Sequence, residues 1–433
     1  MMRPVDGVRD RPPRILLVSS WQTINIGDVA HSPGALRAFQ RFCEGAQVTL
    51  WAWSSGERER KMFAEHFPDV TIVEERLVEG EAPSRRILRL FEESDVLVHG
   101  SGPSILARAE LEAWRAHTDK PYGFFGVTFD PLAQVAGPGF FGTLDEVTAM
   151  VEAISQPILS SADRGLLEGA AFLYCRDSLS VKYLWSQGLV SASFMPDAVV
   201  CCDLQDAEAG SALLTRLGCA EDFICVIPRL RFTPYHQIFD LEPERRHVLQ
   251  DAVNATFEQS DMGALREIVE RHVRRTGQHV LVCPEMEYEV PLAQAHFGPG
   301  DLAADVAQRV HVVPHFWSLT EAAAVYRRAA AVISMECHSP LIALAAGVPA
   351  IYLRQPTDTI KGHMYRDLGI GGRLVEAGPT AGRDAGRVLG EILSDREEAG
   401  RATLDVRAAA ESLISDAVET IRVTVSGAVA RSR

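Results

Sequence analysis

The stretch from Ser334 to Lys361, with the run that leads into it, constrains the fold most. A short apolar run, Ala329 to Ile333, has the length and composition of a buried strand and leads into Met335-Glu336-Cys337-His338-Ser339-Pro340. Leu341 to Ala346 then reads as a helix with Pro340 in its first turn. Gly347 stops that helix, and Pro349 to Leu353 is the next buried strand. Glu336, His338 and Ser339 therefore sit at the carboxyl end of a parallel strand, beside a helix N-terminus. Open α/β sheets take ligands at that edge, and the free N–H groups of a helix N-terminus attract anions. A lone histidine there would read as a cap or loop contact. With Arg354 and Lys361 crowding the same edge, His338 becomes a candidate catalytic group.

The rest of the chain repeats this alternation. Strand candidates in the first half are Ile15–Ser19, Val48–Trp53, Val70–Val73, Val96–Val98, Tyr122–Phe125 and Phe172–Tyr174. Helical patterns intervene at Pro33–Phe42, Gly56–His66, Arg85–Glu93, Pro103–Ala116, Leu144–Ile154 and Ser178–Gln187. The pattern lapses after Asp197, and Asp203 to Asp222 reads as a linker with a short helix. A second series begins at Phe223–Ile227 and continues through Met262–Arg275, His279–Cys283, Leu302–Gln308, Val310–Val313 and Leu319–Ala329. Ala385 to Val429 is mostly helical in pattern. Strands separated by helices imply parallel sheets with right-handed crossovers. The expected fold class is α/β: two Rossmann-like domains, residues 1–203 and 204–433, whose parallel sheets face a cleft.

Composition narrows the function. The net charge of −15 argues against a general nucleic-acid binder. No apolar run approaches the roughly 20 residues of a membrane span. The polar start MMRPVDGVRD and the brevity of Ile15–Ser19 do not match a signal-peptide core. The eight cysteines contain no CxxC pair; several sit inside apolar runs (Cys225, Cys283) or next to each other (Cys201, Cys202), as buried free thiols of a cytoplasmic protein would, and neither a zinc site nor a disulfide framework is indicated. Only Lys61, Lys120, Lys182 and Lys361 are lysines among 43 basic residues, which singles out Lys361 in the second half. A lysine is a compact point charge where a planar guanidinium would not fit.

Other strand ends supply further candidates. Ser19 to Asp28 is a polar loop after the first strand; it lacks GxGxxG, so no dinucleotide fingerprint is present. Asn25 belongs to that loop. Asp28 is a candidate base for a hydroxyl, or else a helix cap. Gly100, Ser101 and Gly102 form a turn that lets a ligand approach the backbone, or simply a tight structural turn. Arg176 precedes Asp177 and Ser178, two good capping types, and structure is the first reading there. Arg229 and Arg231 leave the Phe223 strand, and Glu285 and Glu287 end the His279 strand. A basic cluster on one edge of an acidic protein points to a small anionic ligand, unless surface carboxylates pair with it.

Taken in order, these residues resemble the polysaccharide pyruvyl transferase family. The resemblance rests on Asn25-Ile26-Gly27-Asp28, Gly100-Ser101-Gly102, Arg176-Asp177-Ser178, Pro196-Asp197, Arg229, His338 with Ala345-Ala346-Gly347-Val348-Pro349, and Lys361. It implies a GT-B-like fold, with the first domain on the acceptor side and the second on the donor side. It also implies transfer of pyruvate from phosphoenolpyruvate to a sugar or glycan hydroxyl as a ketal, in polysaccharide biosynthesis. Arg229 and His338 would bind the donor, with His338 as proton donor. Ser339, Arg231, Arg354 and Lys361 are further donor-side candidates, and Asp28 or Glu336 would be the base. Phosphoenolpyruvate is then a co-substrate, and no other cofactor or metal is expected. The chain departs from the family at Glu336, where an arginine is usual. That departure keeps a nucleotide-sugar glycosyltransferase, and a non-catalytic glycan-binding relative, as alternatives. The acceptor, the linkage and the oligomeric state are left open.

Overall fold

The computed structural model describes residues 11–431 except 78–81, 136–138, 140, 220–221 and 299. Residues 1–10, the polar start noted above, lie outside it.

Two parallel sheets carry the molecule. The first holds β1 (Arg14–Ser19), β2 (Gln47–Ala52), β3 (Thr71–Val73), β4 (Val96–His99), β5 (Tyr122–Val127), β6 (Phe172–Cys175) and β7 (Ala192–Phe194), in the order 3-2-1-4-5-6-7. The second holds β8 (Phe223–Ile227), β9 (His279–Val282), β10 (Val310–Val312), β11 (Val332–Ser334), β12 (Ala350–Arg354) and β13 (Leu374–Glu376), in the order 10-9-8-11-12-13. The expected pair of Rossmann-like sheets is thus present. Central strands such as β4, β5 and β8 are buried along their whole length, because helices cover both faces. Strand order reverses between β1 and β4 and again between β8 and β11. Crevices open at such reversals, outside the carboxyl ends of the strands.

The first helix, α1, departs from expectation. It spans Ile26–Phe42 rather than starting at Pro33. Asn25 is the cap: its Oδ1 accepts from the N–H of Gly27 at 2.7 Å and of Asp28 at 3.3 Å. Pro33 lies inside the helix, where it forgoes one backbone hydrogen bond. The helix expected over Met262–Arg275 extends to Arg245–Thr276 and stops at Gly277, whose φ is +70°. Residues 103–107 are loop, and the helix expected there begins at Arg108. The last helix, Arg396–Arg431, packs back onto α1 through Ile414, Ala417, Val418 and Ile421, all buried. Among the described residues no helix is long and apolar enough to cross a membrane.

Candidate active site

The two crevices meet at one place, and α1 is driven into it. Ile26 N–H donates to the Glu285 carbonyl at 2.9 Å, and Glu287 N–H to the Ile24 carbonyl at 3.1 Å. Asn25 and Met286 form an antiparallel bridge. This backbone zipper presses Gly27 onto the other half. A Cβ at Gly27 would lie 2.4 Å from the Cβ of His338 and 2.6 Å from Glu285 Oε1, so no larger residue fits without movement. At the first crevice, a Cβ at Gly100 would lie 2.9 Å from Ser19 Oγ.

His338 stands at the centre. Its Nε2 is 3.1 Å from His31 Nε2 and 3.2 Å from Arg176 Nη1. Its Nδ1 faces Glu285 Oε1 at 3.6 Å and Cys337 Sγ at 3.6 Å. Burial opposes a charged imidazole, but Cys337 and the Glu285 carboxylate outweigh it and raise His338 well above its usual range. Arg176 Nη1 also donates to Asp197 Oδ2 at 2.8 Å, and its Nε to Thr128 Oγ1 at 2.7 Å. Ser101 Oγ braces Asp197 at 3.1 Å. Burial pushes Asp197 up, but His31, Arg176 and His338 around it hold it well below the usual carboxylate range. Asp28 accepts a hydrogen bond from Gln22, and its carboxylate lies within 4.8 Å of both imidazoles. Asp28, His31 and His338 have metal-ligand spacing. Arg176 puts a cation against both imidazole nitrogens, which opposes a divalent ion there.

A second cluster lies beside the first. Arg229 Nε is 3.0 Å from Glu336 Oε1, and its Nη1 pairs with Asp358. Asp358 also accepts from Tyr352 OH at 2.7 Å and from Gln355 N–H at 2.9 Å. Burial raises Asp358, but Arg229 and Lys361 more than reverse this and bring it to about 2. Burial lifts Glu336 to about 7 against the pull of Arg229, with Glu285 adding repulsion. Lys361 Nζ is 3.9 Å from Asp358 and stays a third exposed. Arg229 Nε, Glu336 Oε1, Glu285 Oε1 and Gln355 Oε1 are all buried without an aligned hydrogen bond. Buried polar atoms are rarely left so; here Arg229 Nε and Glu336 Oε1 face each other as an ion pair, and Glu285 Oε1 faces His338.

The structure sorts the candidates. It brings together Asn25, Asp28, Ser101, Arg176, Arg229, Glu336, His338 and Lys361. It directs others elsewhere. Arg231 grips Asp261 through two bonds of 2.7 and 3.0 Å and stacks on Phe257 at 3.6 Å. Arg354 is fully buried and binds Glu376, the Gly142 carbonyl and the Thr359 carbonyl. Ser339 Oγ pairs with Tyr326 OH at 3.0 Å. Ser339 N–H, expected to greet an external anion, donates to Glu285 Oε2 at 2.6 Å. The helix N-terminus already holds its carboxylate. His31 is absent from the sequence candidates, and Asp197 and Glu285 stand there without an assigned role. Asp197 and Glu285 were visible as strand-end residues, whereas His31 was hidden by starting α1 at Pro33. Gly102 lies outside the network: its carbonyl accepts from Thr128 N–H at 2.9 Å.

Several solved structures share this fold. A UDP-N-acetylglucosamine 2-epimerase structure, described as putative, from Listeria monocytogenes superposes with TM-score 0.54 at 14% identity, covering 90% of this chain and 91% of that one. The S. aureus MnaA–UDP structure gives 0.53 at 11%, covering 90% of each. A UDP-glucosyltransferase from Polygonum tinctorium gives 0.52 at 12%, covering 96% and 99%. The likeness is one of fold, the two-sheet GT-B arrangement. A search of curated proteins returned no match. The family model described as polysaccharide pyruvyl transferase matches residues 25–355, from the cap of α1 to the residue after β12, and the chain belongs to that family of transferases.

Proposed function

We propose that the protein moves pyruvate from phosphoenolpyruvate onto two hydroxyls of a sugar or glycan as a ketal. The observation that carries this reading is His338, an imidazole wedged between Glu285 and His31 and pushed toward its protonated form, with Asp28 in reach; Arg229 and Lys361 share Asp358 in the adjoining cluster. In the proposed reaction His338 gives its proton to the terminal alkene carbon, which becomes a methyl group. The neighbouring carbon is then open to a sugar hydroxyl, whose proton passes to Asp28. Breaking the carbon–phosphate oxygen bond releases phosphate, and the second hydroxyl closes the ketal. One hydroxyl proton ends in the methyl group and the other on phosphate, so the step balances without a further cofactor.

Glu336 need not repel the donor. Its pKa of about 7 means that an arriving dianion favours the protonated form, which releases Arg229 Nε to the donor. Lys361 supplies the second cation. We place the reaction in the cytoplasm, where eight buried free thiols stay reduced.

A nucleotide-sugar donor is the second reading. The ionised Glu336 would suit a ribose or sugar hydroxyl, and two of the structural neighbours are described with UDP or as a UDP-glucosyltransferase. The two readings separate cleanly in deuterated water with phosphoenolpyruvate and a panel of sugar diols. Pyruvyl transfer yields phosphate and one deuterium in the new methyl group. Consumption of a nucleotide sugar, with phosphoenolpyruvate untouched, would overturn the first reading.

A further inference from the structure

At the opposite end of the second sheet lies a group with no part in this chemistry. Cys219 follows the helix Ala207–Arg216, His279 opens β9, and His311 lies in β10. Cys219 Sγ and one nitrogen from each histidine all lie within 4.8 Å of one another. The His279 Nδ1 and His311 Nε2 atoms are 2.7 Å apart, and the rings stack at 5.0 Å. Cys219 is fully buried, whereas both histidines are half-buried, so an ion has a route in.

We propose that Cys219, His279 and His311 form a zinc(II) site that ties β9 and β10 to the segment entering β8. One thiolate and two imidazoles are a donor set that zinc accepts, with water as fourth ligand in a tetrahedral shell. Zinc–nitrogen bonds of about 2.0–2.1 Å require the two ring nitrogens to part by roughly 0.6 Å. His311 lies on the edge strand β10 and His279 opens its neighbour β9; both rings are half-buried, so they can part by turning about their side-chain bonds. Binding has a defined proton balance. Arg309 Nη1 is 2.8 Å from His279 Nε2, so in the metal-free protein the His279 proton sits on Nδ1 and points to His311. Zinc takes Nδ1, the proton moves to Nε2, and Arg309 turns away. The Cys219 thiol loses its proton to solvent, and nothing is oxidised or reduced.

Cobalt(II) is the probe, because a thiolate ligand gives it a charge-transfer band that histidine and carboxylate ligands do not. The full-length protein should take up one cobalt with this band, and zinc should displace it. Cys219→Ser should abolish the band. His311→Ala should weaken uptake by more than the ~10–100-fold that loss of an outer partner costs. Arg309→Gln, an exposed change that leaves all three ligands in place, should tighten binding. Absence of the band in the wild-type protein, its persistence in Cys219→Ser, or unchanged affinity in Arg309→Gln would overturn the proposal.

Discussion

His338 faces Glu285 across 3.6 Å, and with the adjacent Cys337 this carboxylate, 53 positions away in the chain, stabilises the charged imidazole. Glu336, only two residues before the histidine, turns instead to Arg229. The division gives the two acids separate tasks that titration can tell apart.

Glu285→Gln removes the negative charge at Nδ1 and so lowers the pKa of His338. Activity that needs the protonated form is present below that pKa and lost above it. The basic limb of the pH–kcat profile should therefore move down. An opposite charge within about 4–6 Å moves a pKa by roughly 1–3 units, so the shift should be about one pH unit or more. A limb that stays in place would mean that Glu285 serves only to cap Ser339.

Glu336→Gln should leave that limb alone and act on donor binding. With the native residue near pKa 7, a carboxylate appears beside the donor as pH rises through neutrality. Donor affinity should fall over that interval and stay flat in the glutamine variant. The measurement is the donor KM or dissociation constant from pH 6 to 8.5. Parallel curves for the two proteins would remove Glu336 from the donor site.

Much of this was legible beforehand. Both sheets, the cleft, and the gathering of Asp28, Arg176, Arg229, Glu336, His338 and Lys361 follow from strand–helix alternation and from residues at strand ends. The partners were not legible, because pairing across a cleft depends on side-chain direction. Arg231 and Arg354 stand at strand ends as Arg229 does, yet Asp261 and Glu376 claim them. His31 sits one turn inside α1, and Pro33, a residue that more often opens a helix, hid that turn.

Gly27 is a packing requirement rather than a contact. Gly27→Ala places a methyl group on His338 and forces the zipper at Asn25–Met286 apart. Overpacking of this kind costs roughly 1–3 kcal/mol. The melting temperature should drop and turnover should fall further than stability alone explains, because the His338–His31 distance changes. Wild-type turnover in Gly27→Ala would show that α1 can withdraw without disturbing the chemistry.

Lys361 is the cleaner test of an anionic donor than any arginine. Arg229→Ala would strand two buried carboxylates, Glu336 and Asp358, so its loss of binding would be confounded with loss of structure. Arg231→Ala would strand Asp261 and should cost about 3–5 kcal/mol of stability, with the donor constant of the surviving folded protein little altered. Lys361, a third exposed and 3.9 Å from its nearest acid, can be removed without leaving an orphan, since Asp358 keeps Arg229 and Tyr352. Lys361→Ala should therefore melt close to the wild type while its donor constant rises roughly tenfold. Its affinity should also lose part of its salt dependence, because one cation no longer faces the dianion. If Lys361→Ala binds donor normally while Arg231→Ala does not, the anion sits on the far side of Arg229, and the donor pocket must be redrawn toward Asp261.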